Sequence, residues 1–167
     1  LIVLMGDNGY FLGERGFAGK WLMYEPSLRV PLVIYDPRPG REARRIEQMA
    51  LNLDLAPTFL DLAGLPLPSE MQGKSLLPLM TGEAVDWREE FLCEHLYDMP
   101  YIPQSEGVRS ARYKYFRYRD DPSHEELYDL QRDPQERKNL AGDPAYAATL
   151  EQLRQRCDEL IHSRGRN

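Results

Sequence analysis

Asp7-Asn8-Gly9-Tyr10-Phe11-Leu12-Gly13-Glu14-Arg15-Gly16-Phe17-Ala18-Gly19-Lys20 follows directly on the apolar run Leu1-Ile2-Val3-Leu4-Met5 and Gly6. The run is unbroken, as in a strand buried on both faces of a parallel sheet between helix layers. Asp7 and Asn8 then put two oxygen-bearing side chains where such a strand ends, and a glycine-rich loop delivers Lys20. Hard oxygen ligands beside a placed cation suit a site that holds a divalent metal and an anion together. Asn8-Gly9 between apolar runs is also a hairpin-turn signal. Against the turn, the near side does not alternate and the far side is glycine-rich. The spacing does not match an EF-hand loop, which needs further oxygen ligands at alternate positions and a glutamate at the twelfth. Taken alone, Lys20 is an ordinary surface lysine. Its neighbours Gly19 and Trp21-Leu22-Met23 give it an apolar setting, where its charge can steady an ester oxygen as the leaving group departs.

Composition bounds the rest. The 167 residues are 42% hydrophobic and 29% charged, which suits one folded core of ordinary size and not a disordered chain. The net charge of -6 argues against nucleic-acid binding through bulk charge. An acidic chain can still take an anion in a local basic pocket. The two cysteines, Cys93 and Cys157, form no CxxC pair and no cluster with histidines, so neither a zinc site nor a disulfide-dense scaffold is expected. They leave the compartment open. No apolar stretch is long enough to span a membrane. The chain starts within a strand-like run and without methionine, and reads as the C-terminal portion of a longer polypeptide.

Along the chain, residues 30–35 read as a second buried strand that Asp36-Pro37-Arg38-Pro39-Gly40 ends. Asp54 can cap a helix over residues 55–63, stopped by Gly64. Residues 75–80 suit a short helix ending at Thr81-Gly82. The character changes near residue 86. Residues 91–97, 108–118 and 126–130 read as strands. Asp133-Pro134-Gln135-Glu136 has the form of a capping box with proline at the first helical position. A last helix starts at Asp143-Pro144 and keeps Leu150, Leu153, Cys157, Leu160 and Ile161 on one face. This half reads as a small antiparallel sheet with a covering helix.

Arg109, Arg112, Lys114, Arg117 and Arg119 alternate with Tyr113, Tyr115, Phe116 and Tyr118. Cations among aromatics can bind single-stranded nucleic acid or an acidic glycan. A half-exposed strand or a basic wall for an anionic substrate explains the pattern as well. His95, His124 and His162 show no metal-ligand spacing and are read as structural or surface residues. Cys93 and Cys157 are read as core thiols, without the activating neighbour a nucleophile needs.

An ordered set of short matches resembles the type I, formylglycine-dependent sulfatases of the alkaline-phosphatase-like superfamily. It begins with Asp7-Asn8-Gly9-Tyr10, Leu12-Gly13-Glu14, Gly19-Lys20, Tyr24-Glu25, Ser27 and Arg29-Val30-Pro31-Leu32. It continues with Asp54-Leu55-Ala56-Pro57-Thr58, Gly73-Lys74-Ser75-Leu76, Gly107-Val108-Arg109 and Tyr113-Lys114. Glu126-Leu127-Tyr128-Asp129-Leu130, Asp133-Pro134, Glu136 and Asn139-Leu140 complete it. Any one match is weak; together they cover most of the chain.

The resemblance implies an α/β architecture: the C-terminal part of an alkaline-phosphatase-like fold, ending in a small antiparallel sheet packed on a C-terminal helix. Residues 1–86 would hold the last elements of the large domain and 87–167 the C-terminal subdomain. It implies sulfate-ester hydrolysis at a calcium and formylglycine site, with the sulfate ester and the N-terminal portion of the same polypeptide as partners and no nucleic acid. Asp7 and Asn8 match calcium ligands, and Lys20 matches the lysine on the sulfate and leaving-group oxygens. Arg15 stands where the family often has histidine, and no role is carried onto it. The chain has no Cys/Ser-x-Pro-x-Arg, the motif that yields formylglycine, so the nucleophile is expected upstream and the isolated chain is expected to be inactive. The alternatives are a phosphonate or phosphate monoester hydrolase of the same superfamily, and a non-catalytic module that binds anionic glycans or nucleic acid.

Overall fold

Residues 1–38 and 42–163 are described by the structure, a computed structural model. In chain order the strands are β1 (Ile2–Met5), β2 (Phe11–Leu12), β3 (Ala18–Gly19), β4 (Leu32–Tyr35), β5 (Glu90–His95), β6 (Ser105–Ser110), β7 (Tyr113–Tyr118) and β8 (Glu125–Asp129). The α-helices are α1 (Glu25–Leu28), α2 (Leu55–Leu62), α3 (Leu77–Thr81) and α4 (Ala147–His162). The chain divides into two compact units, Leu1–Asp7 with Leu32–Glu89, and Asn8–Pro31 with Glu90–Asn167. Residues 8–31, which a linear division at residue 86 places with the N-terminal part, therefore cluster with the C-terminal part.

In the first unit β1 pairs with β4 antiparallel, Ile2 opposite Tyr35 and Met5 opposite Leu32. The expectation of a parallel sheet buried on both faces is corrected here. Ile2, Leu4, Val33 and Tyr35 share one face of the ribbon, and that face is exposed. An unbroken apolar run carries no alternation to say which face is covered. After β4, Arg38 pairs with Asp36; Pro39 and Gly40, the rest of the expected stop, lie outside the described residues.

Asp54 is fully buried, but it does not cap α2 as expected. A 3-10 turn over Asn52–Asp54 precedes the helix. The Asp54 carboxylate reaches back to the Leu51 amide at 2.7 Å and across to the Lys74 amide at 2.9 Å, and it takes a two-point ion pair from Arg88. The buried Thr58 hydroxyl donates to the Asp54 carbonyl and accepts from the Leu76 amide, tying α2 to the start of α3. Both helices end where expected, just before Gly64 and Gly82.

In the second unit β5, β6, β7 and β8 form an antiparallel meander. The expected single strand over residues 108–118 is instead a hairpin. The Ser110 hydroxyl accepts from the Tyr113 amide and donates to the Tyr113 carbonyl, both at 3.0 Å, and so closes a turn that no glycine or asparagine announces. Alternation then gives each face its own core. Leu92, Val108, Tyr115 and Leu127 pack against Leu150, Leu153 and Cys157 of α4. Burying each such leucine contributes about 1.5–3 kcal/mol. On the other face Cys93, Phe116 and Tyr128 pack against Phe11, Met23 and Tyr24. Gly107 allows this, because a Cβ there would lie 2.5 Å from that of Phe116.

The second face also carries charge. Lys114 is buried, with its ammonium 2.9 Å from a Glu25 oxygen and 2.5 Å from a Glu136 oxygen. This is why Asp133–Glu136 forms no helix. The Glu136 carboxylate is drawn to Lys114 and the Glu25 amide, not back to Asp133, and Glu136 adopts φ +55°. The last helix forms as expected: Asp143 caps the turn ahead of it by accepting from the Ala145 amide.

Candidate functional site

The loop that carries Lys20 is folded back by a tight approach. The Gly9 amide donates to the Ser27 carbonyl at 2.8 Å, and a Cβ at Gly9 would lie 2.0 Å from the Pro26 carbonyl oxygen. Only glycine fits there. β2 and β3 form a short ribbon, Phe11 opposite Gly19 and Leu12 opposite Ala18. It returns the chain so that Lys20 Nζ donates to Asn8 Oδ1 across 2.8 Å. Asn8 and Lys20 thus meet within the second unit. Asp7, the adjacent residue, closes the β1 segment of the first unit. Its carbonyl accepts from the Asn52 carboxamide at 2.7 Å.

Asn8 and Lys20 open onto a cavity of about 380 Å³ within the second unit, also lined by Trp21, Cys93, Glu94 and His95. Trp21 is held at φ +104°, a strained backbone for a bulky residue, with its amide 3.3 Å from Ser27 Oγ. Its ring lies 5.4 Å from the His95 ring, and the Lys20 ammonium stands 5.4 Å from its centre. His95 is nine-tenths buried, and burial depresses its pKa, which favours the neutral imidazole. Among the described residues its Nε2 has no hydrogen-bond partner. Sequence reasoning set His95 aside and gave Trp21 no role. The one signal was strand alternation, which puts His95 on the same face of β5 as Cys93. Burial pushes the Cys93 thiol up to about 12, which keeps it protonated.

Asp7 and Asn8 offer one carboxylate and one carboxamide oxygen. Among the described residues no three His, Cys, Asp or Glu side chains are grouped to hold a metal ion. Both are hard oxygen donors of the kind calcium takes, and by themselves fall short of the six to eight oxygens it needs. Arg15 is engaged elsewhere, stacked 4.2 Å over the Tyr24 ring and bonded to the Glu136 carbonyl.

The basic stretch is neutralised internally. Arg109 pairs with Glu25, Arg112 with Asp129, Lys114 with Glu25 and Glu136, and Arg117 with Glu106 and Asp158. Arg119 lies 3.7 Å from Glu106. Both cysteines are free and buried. No helix among the described residues is long and apolar enough to cross a membrane.

A family model described as N-sulphoglucosamine sulphohydrolase, C-terminal, matches residues 13–163. The chain is 36% identical to an N-acetylglucosamine-6-O-sulfatase of Bacteroides thetaiotaomicron, over 95% of this chain and 29% of the relative. A solved 2-O GAG sulfatase superposes with a TM-score of 0.86 at 33% identity, over 96% of this chain and 36% of that one. A phosphonate monoester hydrolase from Silicibacter pomeroyi superposes with a TM-score of 0.83 at 30% identity, over 96% of this chain and 34% of that one. The chain spans about a third of the length of the relatives it matches.

Proposed function

This chain belongs to the sulfatases, in the family of N-sulphoglucosamine sulphohydrolase C-terminal domains, and on that premise we propose that it forms the C-terminal part of an enzyme that hydrolyses sulfate esters. Its architecture is that of the C-terminal part of the alkaline-phosphatase-like fold, with an antiparallel sheet packed on a terminal helix. The observation that carries the proposal is the Lys20–Asn8 hydrogen bond at the mouth of a cavity.

Lys20 is the catalytic and sulfate-binding residue of this chain. Its ammonium takes a sulfate oxygen and the oxygen that bridges sulfur to the alcohol, and it offsets the charge that grows there as the S–O bond breaks. Asn8 fixes the ammonium by accepting a hydrogen bond from it. Asp7 and Asn8 would hold calcium together with ligands from the N-terminal portion of the same polypeptide. The ion, when bound, supplies positive charge to the sulfate oxygens. The nucleophile, formylglycine, lies outside this chain, so the chain on its own is inactive.

One feature weighs against the binding-module rival. The cations of residues 109–119 are each within reach of a carboxylate, which leaves little free charge for a nucleic acid or acidic glycan. The phosphonate hydrolase reading rests on a real structural likeness, and a head-to-head assay separates it. Full-length protein given 4-nitrophenyl sulfate and a phenylphosphonate monoester should favour the sulfate; a preference for the phosphonate assigns the rival activity.

A further inference from the structure

Trp21, with its backbone at φ +104°, directly follows Lys20. In extended chain, successive side chains point to opposite sides, so residues 20 and 21 would diverge. Here they converge. The Lys20 ammonium stands over the indole, 5.4 Å from the ring centre and within the reach of a cation–π contact. Backbone strain of this kind persists only where the surroundings over-determine it. Three contacts do so. The Trp21 amide donates to the buried Ser27 hydroxyl at 3.3 Å. The His95 ring packs against the indole at 5.4 Å with a tilt of 51°. The Tyr97 ring stacks on it at 6.3 Å, 21° from parallel. His95 is the last residue of β5 and Tyr97 lies two positions on, so the end of that strand clamps the indole.

Lys20 is thus held at two points, by Asn8 Oδ1 at 2.8 Å and by the indole. A single hydrogen bond fixes one distance and leaves a flexible four-carbon stem free to swing about it. The second contact removes that freedom. Resting on the sulfatase reading above, we infer that Trp21 is a positioning residue: its clamped indole fixes the Lys20 ammonium against the leaving-group oxygen of the ester. As the S–O bond breaks, its electron pair stays on that oxygen. A more basic leaving group carries more charge that needs the ammonium, so a displaced ammonium harms a poor leaving group most.

The test is a ratio in the full-length protein: kcat/KM for 4-nitrophenyl sulfate divided by kcat/KM for phenyl sulfate, whose phenoxide is the more basic. Lys20→Ala should raise this ratio. Trp21→Leu should raise it about 5-fold, chiefly through kcat on phenyl sulfate, and Trp21→Phe, which keeps a ring face, should restore much of it. Tyr97→Ala loosens the clamp at an exposed position and should raise it about 2-fold, which keeps the test open if Trp21→Leu does not fold. General loosening of the structure slows both esters alike and leaves the ratio unmoved. A wild-type ratio in Tyr97→Ala and in every folded Trp21 variant, beside a raised ratio in Lys20→Ala, overturns the positioning role and leaves the sulfatase reading standing. Failure of the wild-type protein to hydrolyse either ester overturns both.

Discussion

Lys114 Nζ lies 2.9 Å from a Glu25 oxygen, in a buried cluster completed by Glu136 and Arg109. The cluster joins α1, β6, β7 and the loop after β8, and Glu136 also accepts from the Glu25 amide. Burial alone would raise the Glu25 carboxyl, but Lys114 and Arg109 outweigh it and hold it below its ordinary value. Burial raises Glu136, and Lys114 only partly offsets it. Lys114→Met removes the cation and leaves two carboxylates facing each other in the core. The expected loss is about 3–5 kcal/mol in a urea-unfolding comparison with wild type. A variant within about 1 kcal/mol of wild type would mean that the cluster does not organise this face.

Asp129 is buried and takes two hydrogen bonds from Arg112. That guanidinium, with the Arg132 and Gln131 amides, holds its pKa below the ordinary carboxylate value. The folded value lies under the unfolded one, so this contribution is complete above about pH 4 and fades as pH falls through the folded value. Asp129→Asn keeps an oxygen for the two amides and loses the charge. It should melt below wild type at pH 6–7, with a gap that narrows below about pH 4. A gap constant over that range would remove the Arg112 pair as its source.

The 167-residue chain carries Asp7, Asn8 and Lys20 but no formylglycine motif. Purified alone and supplied with calcium, it should leave 4-nitrophenyl sulfate at the background rate. Calcium-dependent turnover by this chain would show that its own residues supply a nucleophile.

Local periodicity made much of the fold legible. The Leu150, Leu153, Cys157 stripe announced α4, and the Phe91, Glu126 and Leu127 segments fell within strands. What failed depended on partners far along the chain. The capping-box pattern at Asp133–Glu136 lost to Lys114, and Asp54 left its helix for Lys74 and Arg88. The β6–β7 turn was hidden because a serine side chain closes it. The site divides in the same way. Asn8 and Lys20 stand close in sequence and were found together, whereas His95 joins Trp21 only once β5 lies beside the Lys20 loop.

The central claim is that Lys20, held by Asn8, serves sulfate-ester hydrolysis. The most direct measurement is kcat on 4-nitrophenyl sulfate for the full-length protein and its Lys20→Ala variant. The account predicts calcium-dependent turnover by wild type and a loss of about 100-fold or more in the variant, the scale expected for removing a charge-stabilising donor. A variant as active as wild type would contradict it.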